Sequence, residues 1–414
     1  MKLLRIIRFI VLQVYSLFVR TKKRIIFIPN LLSAQSFVDI ENYTAENVLT
    51  FLHFLTSNKN FVQKKTYKYI LVVYQKYQMD IPVPLDSAGL PLYEKILYQQ
   101  LLSPGLTFFE YIRQTFYYYY YYFSAQIIIT GDPLGVEWLK KKNQVEVDLS
   151  YYVPFKSDLL RKPKRISNID YVICGSNIAA QIDTLASNVS FEKYIPLGLP
   201  KWENLLYPRY SKEQLCSYIP YLTVDSKIIV YTPTHRDYER KGKHIRGVLG
   251  FSNDYGALNQ LLNNNNAYLI LKLHGNQNIT SIDMKQNYSN IKYYEDTRNY
   301  TLYDILPYTD LLIADYTSTY FDYLLLNKPV LFNFYDIKKY KVTRGLSWEP
   351  VESICAGTMI YTYEQFVEQI DLFLQGKYEY DIKKAEWIKS LVLANNDNNI
   401  MERIYDFILS NGVK

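Results

Sequence analysis

The residues best suited to chemistry in this chain fall in three short clusters, each closing an apolar run in its second half. Thr232 ends the run Ile228–Thr232, and Thr234, His235, Arg236 and Asp237 follow. Lys272 and His274 close the run Tyr268–Leu273. Asp315, Thr317 and Ser318 follow the run Leu311–Ala314 and lead into a helical segment that carries Asp322. Short apolar runs alternating with helical stretches read as strands of a parallel α/β sheet. In such a sheet the carboxyl ends of all strands share one edge, and ligands bind there. Helix N-terminal N–H groups and the Thr317 and Ser318 hydroxyls favour an anion on that edge, and Arg236 and Lys272 add cations. His274 and His235 are the groups able to move a proton near neutral pH. Together these residues form an inventory for gripping a diphosphate and transferring a proton. Taken alone, the Asp315–Asp322 turn has a second reading, in which Ser318 or Thr319 caps the helix and Asp322 completes a box around a Thr319 cap. The alignment of three clusters on one edge favours the diphosphate role.

The elements that must position these residues form two series. Apolar runs at Ile25–Ile28, Tyr69–Tyr74, Gln126–Thr130 and Tyr171–Cys174 precede those at Ile228–Thr232, Tyr268–Leu273, Ile291–Tyr294, Leu311–Ala314 and Val330–Phe334. Helical stretches such as Thr44–Leu55 and Tyr361–Leu374 lie between them. The fold class expected is α/β, with two Rossmann-like, doubly wound domains joined by right-handed crossovers and facing a central cleft. The domains are expected at residues 25–205 and 206–378. An N-terminal helix (1–24) precedes them, and C-terminal helices (379–414) pack back across the junction.

With 49% apolar and 21% charged residues, the chain can bury large cores and is not a disordered protein. Its net charge of +7 suits an anionic partner. No RNA-module signature or long basic tract is present, so nucleic acid is not an expected partner. Cys174, Cys216 and Cys355 are isolated, with neither metal-ligand spacing nor a disulfide framework, which points to a reducing, cytoplasmic setting. No metal-ligand cluster is visible, although phosphoryl transfer can recruit Mg²⁺. Lys2, Arg5 and Arg8 interrupt the apolar N-terminus, so it cannot span a bilayer, and no signal-peptide cleavage site follows. As a basic amphipathic helix it suits the anionic face of a membrane, and the alternative is a first helix packed on the body of the protein. The tyrosine run 117–122 and the asparagine run 263–266 are read as compositional drift, with part of the tyrosine run buried.

The clusters resemble a known family, the CDP-glycerol glycerophosphotransferases, which include the teichoic-acid primases and polymerases. Thr234-His235-Arg236-Asp237 is similar to the family's Thr-x-Arg-Asp turn. Lys272-Leu273-His274 is similar to its Lys-Leu-His-Pro strand end, with Gly275 in place of Pro. Asp315-Tyr316-Thr317-Ser318 and Phe321-Asp322 are similar to Asp-Tyr-Ser-Ser and the Phe-Asp pair after it. Cys174-Gly175-Ser176, Gly198-Leu199-Pro200 and Asn42–Leu55 resemble further landmarks, so the likeness runs from about residue 25 to 375.

The resemblance implies a GT-B type fold, with an acceptor domain first and a nucleotide-donor domain second. An acceptor hydroxyl, on a lipid-linked or polymeric acceptor, would attack the β-phosphorus of a CDP-alditol and expel CMP. It implies His274 as acid/base or phosphate ligand, Thr232, Thr234, Lys272, Asp315, Thr317, Ser318 and Asp322 around the donor, and Arg236 and Asp237 beside them. Gly175, Ser176 and Lys156 fall on the acceptor side. One departure stands out. Where the family carries Trp-His-Gly-Thr-Pro-Leu-Lys, this chain reads Ser150-Tyr151-Tyr152-Val153-Pro154-Phe155-Lys156, so Tyr151 replaces the presumed basic His. A phenol with pKa near 10 is a poor base at neutral pH. Of the four histidines, His53 lies in an apolar helical stretch and His244 in a basic loop, which leaves His274 and His235 as base candidates. A GT-B glycosyltransferase acting on a nucleotide sugar, and a catalytically inactive binding relative, are the competing readings.

Overall fold

The computed structural model describes residues 2–28, 46–57, 68–74, 93–99, 108–131, 139–149, 155, 157, 168–187, 189–234, 236, 249–251, 254–272, 288–294 and 300–412. The first sheet contains β1 (Lys22–Ile28), β2 (Lys68–Tyr74), β3 (Tyr93–Gln99), β4 (Ala125–Thr130), β5 (Val145–Leu149), β6 (Tyr171–Ile173) and β7 (Tyr194–Ile195). They lie in the order β3-β2-β1-β4-β5-β6-β7. The second contains β8 (Lys227–Thr232), β9 (Ala267–Lys272), β10 (Ile291–Tyr294), β11 (Leu311–Ala314), β12 (Val330–Asn333) and β13 (Met359–Ile360), in the order β10-β9-β8-β11-β12-β13. Every pairing is parallel. Both orders reverse direction once, the mark of doubly wound sheets.

All nine apolar runs read from the sequence are strands. The strands not foreseen have simple explanations. β7 and β13 are two residues long, β3 mixes charge into its run, and β5 (VEVDL) hides two carboxylates. Asp170 anchors β5 by accepting from the Glu146 amide at 2.8 Å, and Lys140 meets Asp170 at 2.6 Å.

The largest apolar core does not stop at either sheet. It runs from Phe27, Ile127 and Val147 through Leu199 and Trp202 to Val230, Leu312 and Phe321. The tail closes over the junction. Helix Ile382–Val392 meets the second half, where Lys389 Nζ donates to Asn327 Oδ1 at 2.8 Å. Helix Ile400–Asn411 meets the first, with Phe407 and Tyr171 rings 5.0 Å apart. Between them Ala394 N donates to Gly175 O at 2.7 Å and Asn395 Nδ2 donates to Pro196 O. Gly198 has φ +92°, and a Cβ there would sit 2.9 Å from Asn395 O. Only glycine supplies both that backbone conformation and that clearance.

The tyrosine run belongs to helix Phe108–Ser124, which buries Tyr118, Tyr119, Tyr122 and Phe123. Leu12, Tyr15 and Val19, from the helix Lys2–Phe18 and the residue following it, pack on this aromatic face, and Tyr15 meets Phe116 edge-on at 4.9 Å. The other side of the N-terminal helix leaves Ile10, Val11, Val14, Leu17 and Phe18 exposed. Among the described residues no helix is long and apolar enough to cross a membrane.

Candidate functional site

The second sheet changes direction between β8 and β11, and the polar clusters emerge beside that switch point. Ala314 pairs with Thr232 and Tyr231 with Leu271, so Thr232, Lys272 and Asp315 end three adjacent strands at nearly one level.

Three expected donor ligands are occupied by one another. Asp315 is fully buried and accepts from the Thr234 amide at 2.9 Å, the Thr234 hydroxyl at 2.7 Å, and the Tyr316 amide. Arg236 donates to the same carboxylate and to Thr234 O. It also forks onto Asp336 at 3.0 and 3.1 Å, among the rings of Tyr316, Tyr335 and Tyr340. Burial pulls this guanidinium toward neutrality, but Asp315 and Asp336 outweigh it and hold its pKa well above the ordinary arginine value. Arg236, Thr234 and Asp315 therefore form a buried knot that fixes the β8 and β11 strand ends. Burial first, then Asp336, drives the Tyr316 phenol far above its ordinary range, so it stays protonated and donates to Asp336 at 3.0 Å.

Asp322 also has structural partners. It completes no capping box and is fully buried. It accepts from Lys201 Nζ at 2.6 Å, from Trp202 Nε1 at 2.7 Å and from the Tyr303 hydroxyl. Lys201 and Trp202 lie on helix Pro200–Leu206, which also binds the first half through Lys201 N to Asn47 Oδ1 at 3.1 Å. Asp322 thus ties the turn to the junction between the halves.

Thr317, Ser318 and Thr319 remain at the turn, each partly exposed. Ser318 is the N-cap residue of helix Thr319–Tyr323 yet makes no side-chain capping bond, while the Thr317 hydroxyl accepts from Thr319 N at 3.3 Å. Lys272 is half-buried with Nζ 5.6 Å from the Tyr294 ring centre. Thr232 is buried and its hydroxyl has no partner among the described residues. A row of hydroxyls beside helix N-terminal amides and one lysine is what an anion needs.

The acceptor-side residues have structural duties. The Ser176 hydroxyl caps helix Asn177–Ala186 by accepting from Ala179 N at 3.2 Å, and Gly175 O receives the tail at Ala394. Both stand at the carboxyl end of β6, where the Ser176 hydroxyl serves as the acceptor of the helix cap. His235, Asp237, His274, Tyr151 and Lys156 lie outside the described residues, as do the side chains of His53 and His244.

Several residues at this site went unnoticed in the sequence. Asp336 follows the β12 run and was findable by the same strand-end rule. Lys201 and Trp202 carried no signal, because their partner Asp322 lies 121 and 120 positions away, and Tyr303 carried none at 19 positions because the two sit on different elements. Phe155 is buried against Tyr316, Tyr320, Phe321 and Phe334, and nothing local announces it. Among the described residues, no three His, Cys, Asp or Glu side chains gather into a metal-holding group.

The profile of the family described as CDP-Glycerol:Poly(glycerophosphate) glycerophosphotransferase matches residues 104–410. The teichoic acid glycerol-phosphate primase of Bacillus subtilis is 32% identical over 257 residues, 61% of this chain and 61% of its own. The teichoic acid ribitol-phosphate primase of Bacillus spizizenii is 26% identical over 257 residues, covering 61% and 62%. The chain thus spans about three fifths of the length of these relatives. Among solved structures, the wall teichoic acid polymerase TagF superposes with a TM-score of 0.69 at 21% identity, covering 99% of this chain and 97% of that one. A UDP-GlcNAc 2-epimerase from Neisseria meningitidis superposes at 0.54 with 14% identity, covering 94% and 100%. These superpositions agree with a GT-B type arrangement of two parallel-sheet domains. On the profile match across most of its length, the chain belongs to the CDP-glycerol:poly(glycerophosphate) glycerophosphotransferase family.

Proposed function

We propose that this chain transfers an alditol phosphate, glycerol phosphate or ribitol phosphate, from a CDP-activated donor to a hydroxyl of a cell-surface polymer or its lipid-linked precursor. The observation that carries this reading is the Thr317–Thr319 hydroxyl turn at the switch point of a donor-type sheet, in a chain of this family. Thr317, Ser318 and the amides behind them hold the diphosphate, with Lys272 as the cation and Thr232 at the neighbouring strand end. The acceptor oxygen bonds to the β-phosphorus as the bond to the bridging oxygen breaks. CMP departs with that oxygen, and the hydroxyl proton passes to a base. His274, two residues beyond Lys272, is the base on this reading, with His235 and Tyr151 as the other candidates. The protein works from the cytoplasmic face of the membrane. Support comes from the exposed Ile10, Val14, Leu17 and Phe18 beside a basic stretch at Arg20, Lys22 and Lys23.

Incubation with CDP-glycerol or CDP-ribitol and a teichoic-acid primer is expected to release CMP, and His274→Ala is expected to abolish release. Full activity in that variant would remove His274 from the mechanism. A thermal-shift panel separates the sugar-transferase alternative, which requires stabilisation by UDP or GDP rather than CDP. Flotation with vesicles tests the membrane reading, since binding to phosphatidylglycerol but not phosphatidylcholine vesicles is expected.

A further inference from the structure

The segment that follows β5 belongs by sequence to the first half, yet Phe155 leaves it and enters the second. Its side chain is 1% exposed. Its ring centre lies 6.4 Å from Tyr316, 6.2 Å from Tyr320 and 5.6 Å from Phe321. Those residues precede and follow Thr317, Ser318 and Thr319 in the chain, so the ring packs on both flanks of the hydroxyl turn. Two backbone bonds fasten the same segment across the seam. Ser347 N donates to Phe155 O at 3.0 Å, and Ser157 N donates to Gly345 O at 3.1 Å. Asp322, four residues past Ser318, is bound in turn to Lys201 and Trp202. The residues around the turn are therefore held by two sets of contacts, one from the first half and one from the helix that joins the halves.

We propose that Phe155 is a positioning residue: it couples the Thr317–Thr319 turn to the first-half backbone at Phe155 and Ser157, so that the turn keeps a fixed distance from the first half. This rests on the donor-site reading given above. The physical basis is packing. An aromatic ring fixed by four neighbours resists displacement, because a shift of one partner opens a void against the others. Transfer between two bound molecules is steeply sensitive to such shifts, with a misplacement of about 1 Å costing roughly 100-fold in rate. Donor binding depends on the turn itself and not on its distance from the acceptor half. The two quantities should therefore separate.

The test compares wild type, Phe155→Ala and Phe155→Leu as full-length proteins. Equilibrium binding of CDP-glycerol is measured beside CMP release at saturating donor. Hydrogen exchange across residues 150–157 is followed with and without CDP-glycerol. The expected result is a Kd within about 3-fold of wild type for both variants. CMP release falls about 10- to 100-fold in Phe155→Ala and is largely restored in Phe155→Leu, which keeps apolar volume. CDP-glycerol slows exchange of the 150–157 segment in wild type and not in Phe155→Ala. Release within 2-fold of wild type in Phe155→Ala overturns the proposal. So does a Kd that rises in step with the lost rate, which would make Phe155 a wall of the donor site alone. If Phe155→Ala does not fold, the Leu variant and the wild-type exchange experiment decide. Unchanged exchange on donor binding rejects the coupling. A wild type that binds CDP-glycerol, slows exchange at 150–157 and releases no CMP supports the coupling and rejects the transfer reaction instead.

Discussion

Asp322 supplies the sharpest check on how the halves are joined. Substituting Asp322→Ala removes a fully buried carboxylate that accepts from Lys201 Nζ at 2.6 Å, Trp202 Nε1 at 2.7 Å and the Tyr303 hydroxyl. Lys201 is 4% exposed, so its ammonium loses its counter-charge without gaining water. Breaking one side of such a buried pair costs about 3–5 kcal/mol, most of it the penalty of the stranded charge. If each half unfolds as a unit of about 200 residues, that loss lowers the melting temperature by about 6–20 °C. The stranded-charge account makes a further demand. Lys201→Met alone should also destabilise by leaving Asp322 unpaired, but Lys201→Met with Asp322→Leu should recover much of the loss. A double-mutant cycle read by urea unfolding should give a coupling energy of at least about 2 kcal/mol. Additive single losses, or an Asp322→Ala variant within about 1 kcal/mol of wild type, would refute the reasoning. The carboxylate would then be free for the ligand role first expected of it.

Arg236→Gln should behave as a stability mutant, losing about 3–5 kcal/mol by stranding Asp315 and Asp336. Its affinity for CDP, measured on the folded fraction by calorimetry, should stay within a few-fold of wild type. Ser318→Ala should show the reverse pattern, with a melting temperature within about 2 °C because no capping bond is lost. Its Kd for CDP-glycerol should rise about 10- to 150-fold, the loss of one hydrogen bond to a charged ligand at about 1.5–3 kcal/mol. Burial raises the Glu203 carboxyl, which accepts from Met401 N, to a pKa of about 7. A raised acid favours the protonated folded state, so its contribution is full below about pH 4.5 and is lost as pH climbs through 7. Glu203→Gln should accordingly match wild type near pH 4.5 in thermal melts. By pH 8 it should gain about 1 kcal/mol, the full shift being cut by solvent screening at this half-buried site. A Glu203→Gln advantage that is constant with pH would reject this assignment.

Much of this was open to reading in one dimension. Strands such as Ile228–Thr232 and Leu311–Ala314 announce themselves as short β-branched or leucine-rich runs, because buried parallel strands need apolar residues on both faces. From strand positions alone, the parallel-edge rule brought residues 232, 272 and 315 together although more than eighty positions separate the first from the last. β5 was less open, since the buried carboxylates Glu146 and Asp148 break up its apolar run.

The sequence by itself determined the strand series, the doubly wound fold class and the edge on which the polar residues would gather. These follow from local apolar patterning and from a topology rule that needs no distances. Only the tertiary structure decided what each polar residue does there. Arg236 and Asp322 are charged residues at a ligand-bearing edge, and no local feature says whether a charge faces solvent or a buried partner. That depends on Asp336, Lys201 and Trp202, which lie 100 or more positions away in the chain. Thr317, Ser318 and Thr319 stay partly exposed at the strand edge, while their charged neighbours pair with one another inside. Phe155 shows the same limit from the apolar side, because an aromatic residue in a segment of the first half carries no mark of the core in the second half that it fills.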